Sequence, residues 1–101
     1  MIKTAIIEDN NTIREGIAML INSTEGYSCV GTYGDCESFL EKLGSLDVDV
    51  VLMDIGLPGM NGIEGAARAK KIKPNLNILM LTIYEDNQSV FNALCAGHAD
   101  I

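Results

Sequence analysis

Val50–Met53, "VVLM", and Ile78–Leu81, "ILML", are apolar at every position and too short for a helix. A strand with one wet face alternates apolar and polar residues, so a strand with no polar face has to be covered on both sides. A parallel sheet between two layers of helix does this. The remaining sequence has the required alternation. "KTAIIED" reads as a β-branched strand ending in two acids. In "NNTIREGIAMLINS", Ile13, Ile17, Leu20 and Ile21 fall on one helical face, and Thr12 and Glu15 have capping-box spacing. Gly16 inside that helix costs about 1 kcal/mol relative to alanine, which points to close packing. "YSCVGTYG" reads as a second, weaker strand, and "DCESFLEKLGS" as a helix with Phe39, Leu40 and Leu43 inward and Gly44 as its stop.

"DVVLMD" then forms the third strand. After a glycine-rich turn, "NGIEGAARAKKIKP" is a helix with Asn61 and Glu64 at capping spacing and Pro74 closing it. "NILMLT" is a fourth strand, expected to be buried on both faces. "EDNQSVFNALCAG" is a helix with Val90 and Leu94 one turn apart and Gly97 as its C-cap. The order β-α-β-α-β-α-β-α defines an α/β fold with a doubly wound parallel sheet.

The 101 residues suffice for one domain, and 48% apolar content suffices for its core. A net charge of −7 disfavours nucleic acid and anionic membranes as partners and suits a cation site. Cys29, Cys36 and Cys95 have no metal-type spacing and read as reduced, buried thiols of a cytoplasmic protein. The N-terminal apolar run is broken by Glu8 and Asp9, so it is no signal-peptide core, and no segment reaches membrane-spanning length.

All strands of a parallel sheet end along one edge, where ligands bind. Those ends carry Glu8 and Asp9, then Asp54, then Thr82. If the first and third strands are neighbours, three carboxylates meet in one shallow pocket. Two unit charges 4 Å apart repel by roughly 4 kcal/mol at an effective dielectric near 20. Either a raised pKa or a hard divalent cation offsets this, and an all-oxygen set suits Mg2+ at neutral pH. Gly56 is expected to turn the backbone so that a carbonyl faces the cation. Pro58 ends the extended segment, and Gly59 and Gly62 return the chain to helix.

The pair "ED" at 8–9, "MDIGLPGMNG" at 53–62 and "LT" at 81–82 together resemble the receiver domain of two-component response regulators, from Ile2 to about Gly97. The last helix is most similar to the subgroup usually fused to a C-terminal helix-turn-helix DNA-binding domain, and no such domain is expected within these 101 residues. The resemblance implies a flavodoxin-like strand order 2-1-3-4, read as one receiver domain over residues 1–101. It implies a cytoplasmic phosphorylation switch rather than a dedicated enzyme. Asp54 would accept a phosphoryl group from a sensor histidine kinase. Asp9, Asp54 and the Gly56 carbonyl would hold Mg2+, with Glu8 acting through water. Thr82 would hydrogen-bond the phosphoryl oxygens and shift the helix at 85–96.

Receivers also have a fifth strand with a phosphoryl-binding lysine and a fifth helix. This sequence ends at "HADI", about twenty residues short of them if those elements have ordinary lengths. Lys70, Lys71 and Lys73 lie on another helix, and the aromatic partner of Thr82 is missing, with Tyr84 in the wrong element. The expectations are impaired phosphoryl transfer, retained metal binding, and an open apolar edge that drives homo-oligomer formation, strand exchange or pairing with a fragment. His98 is the only histidine and is expected in a tail.

Four other functions compete with this one. A strand-end aspartate phosphatase needs an acid at position 56, which is glycine. A nucleotide hydrolase needs a phosphate-binding glycine loop with lysine, and none is present. A flavodoxin-like carrier cannot cradle phosphate with "EDNNT". A degenerate receiver serving only for docking or dimerisation is the remaining alternative.

Overall fold

The computed structural model describes residues 1–81. They form β1 (Ile2–Ile7), α1 (Asn11–Asn22), β2 (Tyr27–Tyr33), α2 (Cys36–Leu43), β3 (Val50–Asp54), α3 (Gly62–Ile72) and β4 (Asn77–Leu81). The four strands make one parallel sheet in the order β2-β1-β3-β4, as the sequence implied. The helix expected at 85–97, with Thr82, Tyr84, Cys95 and His98, lies outside the described residues.

The two faces of the sheet at Ala5–Ile7 of β1 and Val50–Met53 of β3 explain why neither segment has a polar side. Ala5, Ile7, Val51 and Met53 point into the larger core, with Phe39 and Leu43 of α2 and Ala69 of α3. Ile6 points the other way, packing with Ile13 and Ile17 of α1, and Leu52 joins that second cluster. Successive strand residues alternate between faces, so burial on both sides demands an apolar residue at each step. Tyr33 meets the Phe39 ring edge-on, with centroids 5.5 Å apart.

β4 departs from its expected double burial. It pairs with β3 on one side, and Leu79 and Met80 remain 56% and 36% exposed. It is the outermost strand among the described residues, which supply "ILML" with cover less complete than its composition calls for.

The helix starts show where local chemistry prevailed. α1 is capped by Asn10, whose side chain accepts from Ile13 N at 3.0 Å, rather than by the Thr12–Glu15 box. Asn10 has extended backbone and an acceptor at the right reach, so the helix begins before Thr12 can serve as cap. Asp35 caps α2, accepting from Ser38 N. Asn61 caps α3 as expected, accepting from Glu64 N at 3.0 Å.

α2 and α3 pack closely because Gly65 has no side chain. A Cβ there would stand 2.4 Å from Cys36 Sγ. Gly65→Ala is expected to destabilise the fold by about 1–3 kcal/mol through overpacking. Combined with Cys36→Ala, the loss should fall below the sum of the separate losses by about 1 kcal/mol. A urea-unfolding double-mutant cycle measures that coupling, and strict additivity would contradict the contact.

Candidate functional site

β1 and β3 are hydrogen-bonded neighbours in the register Thr4–Val50 to Ile7–Met53. Extending that register by one step sets Glu8 level with Asp54. Both continue the alternation of Ile6 and Leu52. The Glu8 N–H donates to Tyr33 O at 2.9 Å, holding the end of β1 to β2. The Ile55 N–H donates to Leu81 O at 2.9 Å, holding the end of β3 to β4.

Glu8, Asp9 and Asp54 converge as the strand-end argument required. One carboxylate oxygen of each lies within 4.8 Å of the other two. Glu8 and Asp54 are buried, at 2% and 4% exposure, and Asp9 is exposed. Asp54 Oδ1 accepts from the Gly56 N–H at 3.0 Å. Glu8 Oε1 accepts from the Asn10 N–H at 3.3 Å, while Glu8 Oε2 is buried with no partner among the described residues. A buried carboxylate oxygen left unpaired is costly unless a proton or a cation reaches it.

Burial, foremost, and then the close approach of Asp54 push the Glu8 carboxyl up to about 8, against the Asn10 N–H, which acts in the opposite direction. In the cation-free protein Glu8 is therefore largely protonated at neutral pH. The donor set is all oxygen, two of its members are buried, and one oxygen is orphaned. These residues fit a hard divalent cation, which would take the place of that proton.

The chain turns at Ile55 and Gly56, directly after β3. The Gly56 backbone is not in the left-handed region, and a Cβ there would find only Asp54 Oδ1, at 3.9 Å. Its visible contribution is the N–H that holds the Asp54 carboxylate. The return to helix uses Gly59, at φ 71°, and Gly62, where a Cβ would come within 2.2 Å of the Asp54 carbonyl oxygen. Gly62 lets α3 begin directly against the strand end, and its N–H donates to Ile55 O at 3.0 Å. Lys70 donates to Leu76 O at 2.7 Å, just before β4 and so toward the sheet edge opposite Asp54. It does not serve the acid site. Cys36 is a core residue whose thiol is pushed up to about 11 by burial, then by Glu37, Asp35 and Glu64.

Three residues at the site carried no sequence signal for it: Asn10, Tyr33 through its carbonyl, and Arg14, which donates to the Glu8 carbonyl at 2.7 Å. The arginine reads in sequence only as the polar side of an amphipathic helix.

A parallel α/β sheet with three acids at its C-terminal edge defines a phosphoacceptor receiver. Residues 4–101 match the family described as the response regulator receiver domain, and the chain belongs to that family. It is 36% identical over 97 residues to the transcriptional regulatory protein LnrK of Bacillus subtilis, covering 96% of this chain and 44% of that protein. It is 31% identical over 99 residues to the response regulator GacA of Pseudomonas syringae, covering 98% and 46%. The chain thus spans about half the length of the curated relatives it matches. Among solved structures, the response regulator domain of Thermotoga maritima CheB superposes with a TM-score of 0.76 at 27% identity, covering 96% of this chain and 73% of that one. The signal receiver domain of a modulated diguanylate cyclase from Desulfovibrio desulfuricans gives the same TM-score at 26% identity, covering 96% and 77%.

The raised Glu8 carboxyl sets a pH dependence. A carboxyl that ionises near 4.5 when unfolded and at about 8 when folded keeps its native-state proton where the unfolded chain has lost its own. Its contribution is fully present below the unfolded value and is lost as pH rises through the folded one. Without divalent cations, stability should therefore fall between about pH 5 and pH 8, by up to about 1.4 kcal/mol for each pH unit crossed. Glu8→Gln should flatten that fall. Urea unfolding across the range, in chelator, checks both. A wild-type slope no steeper than that of Glu8→Gln would contradict the assignment.

Proposed function

We propose that this chain accepts a phosphoryl group on Asp54 from a phosphohistidine on a sensor histidine kinase, or from a small acyl phosphate, with Mg2+ at the Glu8–Asp9–Asp54 cluster. The observation that carries this reading is the convergence of those three carboxylates, with Asp54 the last residue of β3. Asp54 Oδ1 is held by the Gly56 N–H, and Oδ2 is the oxygen left to attack phosphorus. As the new oxygen–phosphorus bond forms, the phosphorus–nitrogen bond breaks. Its electron pair leaves with the imidazole, which takes a proton from solvent.

Asp9, Asp54 and the Gly56 carbonyl would hold the cation, with Glu8 reaching it through water. Its chemistry when bound is to neutralise negative charge on the phosphoryl group. The protein's own part is placement: β1 brings the acids at 8 and 9, β3 brings Asp54, and the capped start of α1 keeps the first loop turned inward. Thr82 follows β4 directly and would donate to the phosphoryl oxygens, repositioning the segment after it. The acyl phosphate on Asp54 is hydrolysed in time, which resets the switch without a dedicated substrate turnover. A cytoplasmic site of action follows from this partnership, and among the described residues no helix is long and apolar enough to cross a membrane.

Incubation with acetyl phosphate and Mg2+ should add one phosphoryl group to Asp54, read by intact mass and peptide mapping. Chelation or Asp54→Asn should abolish it, and Asp9→Asn should slow it by about 10-fold or more. A folded sample that stays unmodified would overturn the phosphoacceptor reading in favour of a docking or dimerisation module.

The side of β4 away from β3, unpaired among the described residues, supports a second element of the reading: copies of this chain associate through that edge. Light scattering should report a mass above the monomer's 10.9 kDa, and Leu79→Lys should reduce it. A wild-type monomer at high concentration would refute the association.

A further inference from the structure

We infer that Arg14 is a positioning residue for the acid site: its guanidinium anchors the main chain at Glu8 and keeps the mutually repelling carboxylates gathered about one cation. The inference rests on reading the cluster as a cation site. Arg14 Nη1 donates to the Glu8 carbonyl oxygen at 2.7 Å, and Nη2 donates to Asn11 Oδ1. A Cβ on Gly34, at the end of β2, would lie 3.6 Å from Nη1, so the guanidinium also lies against the neighbouring turn. On the other side of the residue, the Glu8 N–H is taken by Tyr33 O. Glu8 is thus held at its N–H by β2 and at its carbonyl by α1.

That double hold opposes a definite force. Glu8 and Asp54 are buried side by side, and when both are ionised repulsion favours swinging the loop after β1 outward, where Glu8 would find water. Among the described residues, Arg14 is the one cationic side chain bonded to a member of the cluster. Lys3 is engaged with Asp47, Arg68 with Glu64, and Lys70 with Leu76 O. A planar guanidinium meets two acceptors in fixed directions, which a lysine ammonium does not reproduce. Arg14 follows Asn10 by one helical turn, and its own N–H donates to Asn10 O at 2.9 Å. The cap that starts α1 therefore also sets where the guanidinium falls.

The test compares Mg2+ with Ca2+. Mg2+ demands near-octahedral, fixed ligands, whereas Ca2+ accepts a looser and more variable set. Calorimetric titration of the folded 101-residue chain with each ion separately gives both affinities for wild type, Arg14→Lys and Arg14→Ala. Arg14→Ala is expected to weaken Mg2+ binding by about 10-fold or more and Ca2+ binding by much less. Arg14→Lys should show the same fall in the Mg2+ to Ca2+ preference although it keeps the charge. If Arg14→Ala does not fold, Arg14→Lys carries the test by itself. Unchanged Mg2+ affinity in the variants, or equal weakening of both ions, would overturn the positioning role and leave the cation reading standing. Failure of the wild-type chain to bind either ion would overturn the cation reading and this inference together.

Discussion

The parallel pairing of β1 with β3 holds together two things that oppose each other. Along the strands it stacks Ala5 on Val51 and Ile7 on Met53, in a core that excludes water. One step beyond the last pair, the same register forces Glu8 against Asp54, with Asp9 beside them. Apolar burial stabilises the pairing by roughly 25 cal/mol for each Å² removed from water. Carboxylate repulsion works against it at the strand ends. The fold therefore carries the site as a local strain on an otherwise favourable interface, and a proton or a cation is what relieves it.

Much of the surrounding detail limits how that strain can be released. The Glu8 peptide is tied to Tyr33, and its carbonyl to Arg14. Asp54 is held by the Gly56 N–H. Gly62 brings the start of α3 against the Asp54 backbone, which leaves little room for the strand end to move. With retreat blocked, Glu8 keeps its proton up to about 8 in the cation-free state. The same restriction leaves an all-oxygen set poised for a small hard ion.

The family match and the superpositions concern this receiver domain, about half the length of the curated relatives. The site lies where the chain is best supported, between β1 and β3 in the middle of the sheet. The sheet is least covered at its margin, where Leu79 and Met80 stand exposed on β4. The acid cluster and the β4 margin therefore lie on different parts of the sheet, and a substitution at one leaves the other's contacts in place.

Over residues 1–81 the element types and their order were legible in the residues, because a core-facing helix and a doubly covered strand leave different apolar periods. The acid pair at 8–9 and the acid at 54 were legible as strand-end residues for the same reason. The exact caps were less so: Thr12 with Glu15 and Asn10 both offer chemistry for starting α1, and backbone geometry at residue 10 chose Asn10. The glycines looked alike in sequence. Only the packed structure distinguishes Gly62, pressed against Asp54 O, and Gly65, pressed against Cys36, from Gly56, which has room. The sequence by itself determined which side chains could hold charge and which faces had to be buried, since both follow from composition and spacing along one chain. Tertiary structure decided that Glu8 lies beside Asp54, that one of its oxygens is orphaned, and that Arg14 braces it. Those facts depend on strand neighbours and register, and no local pattern encodes the distance between residues 46 positions apart.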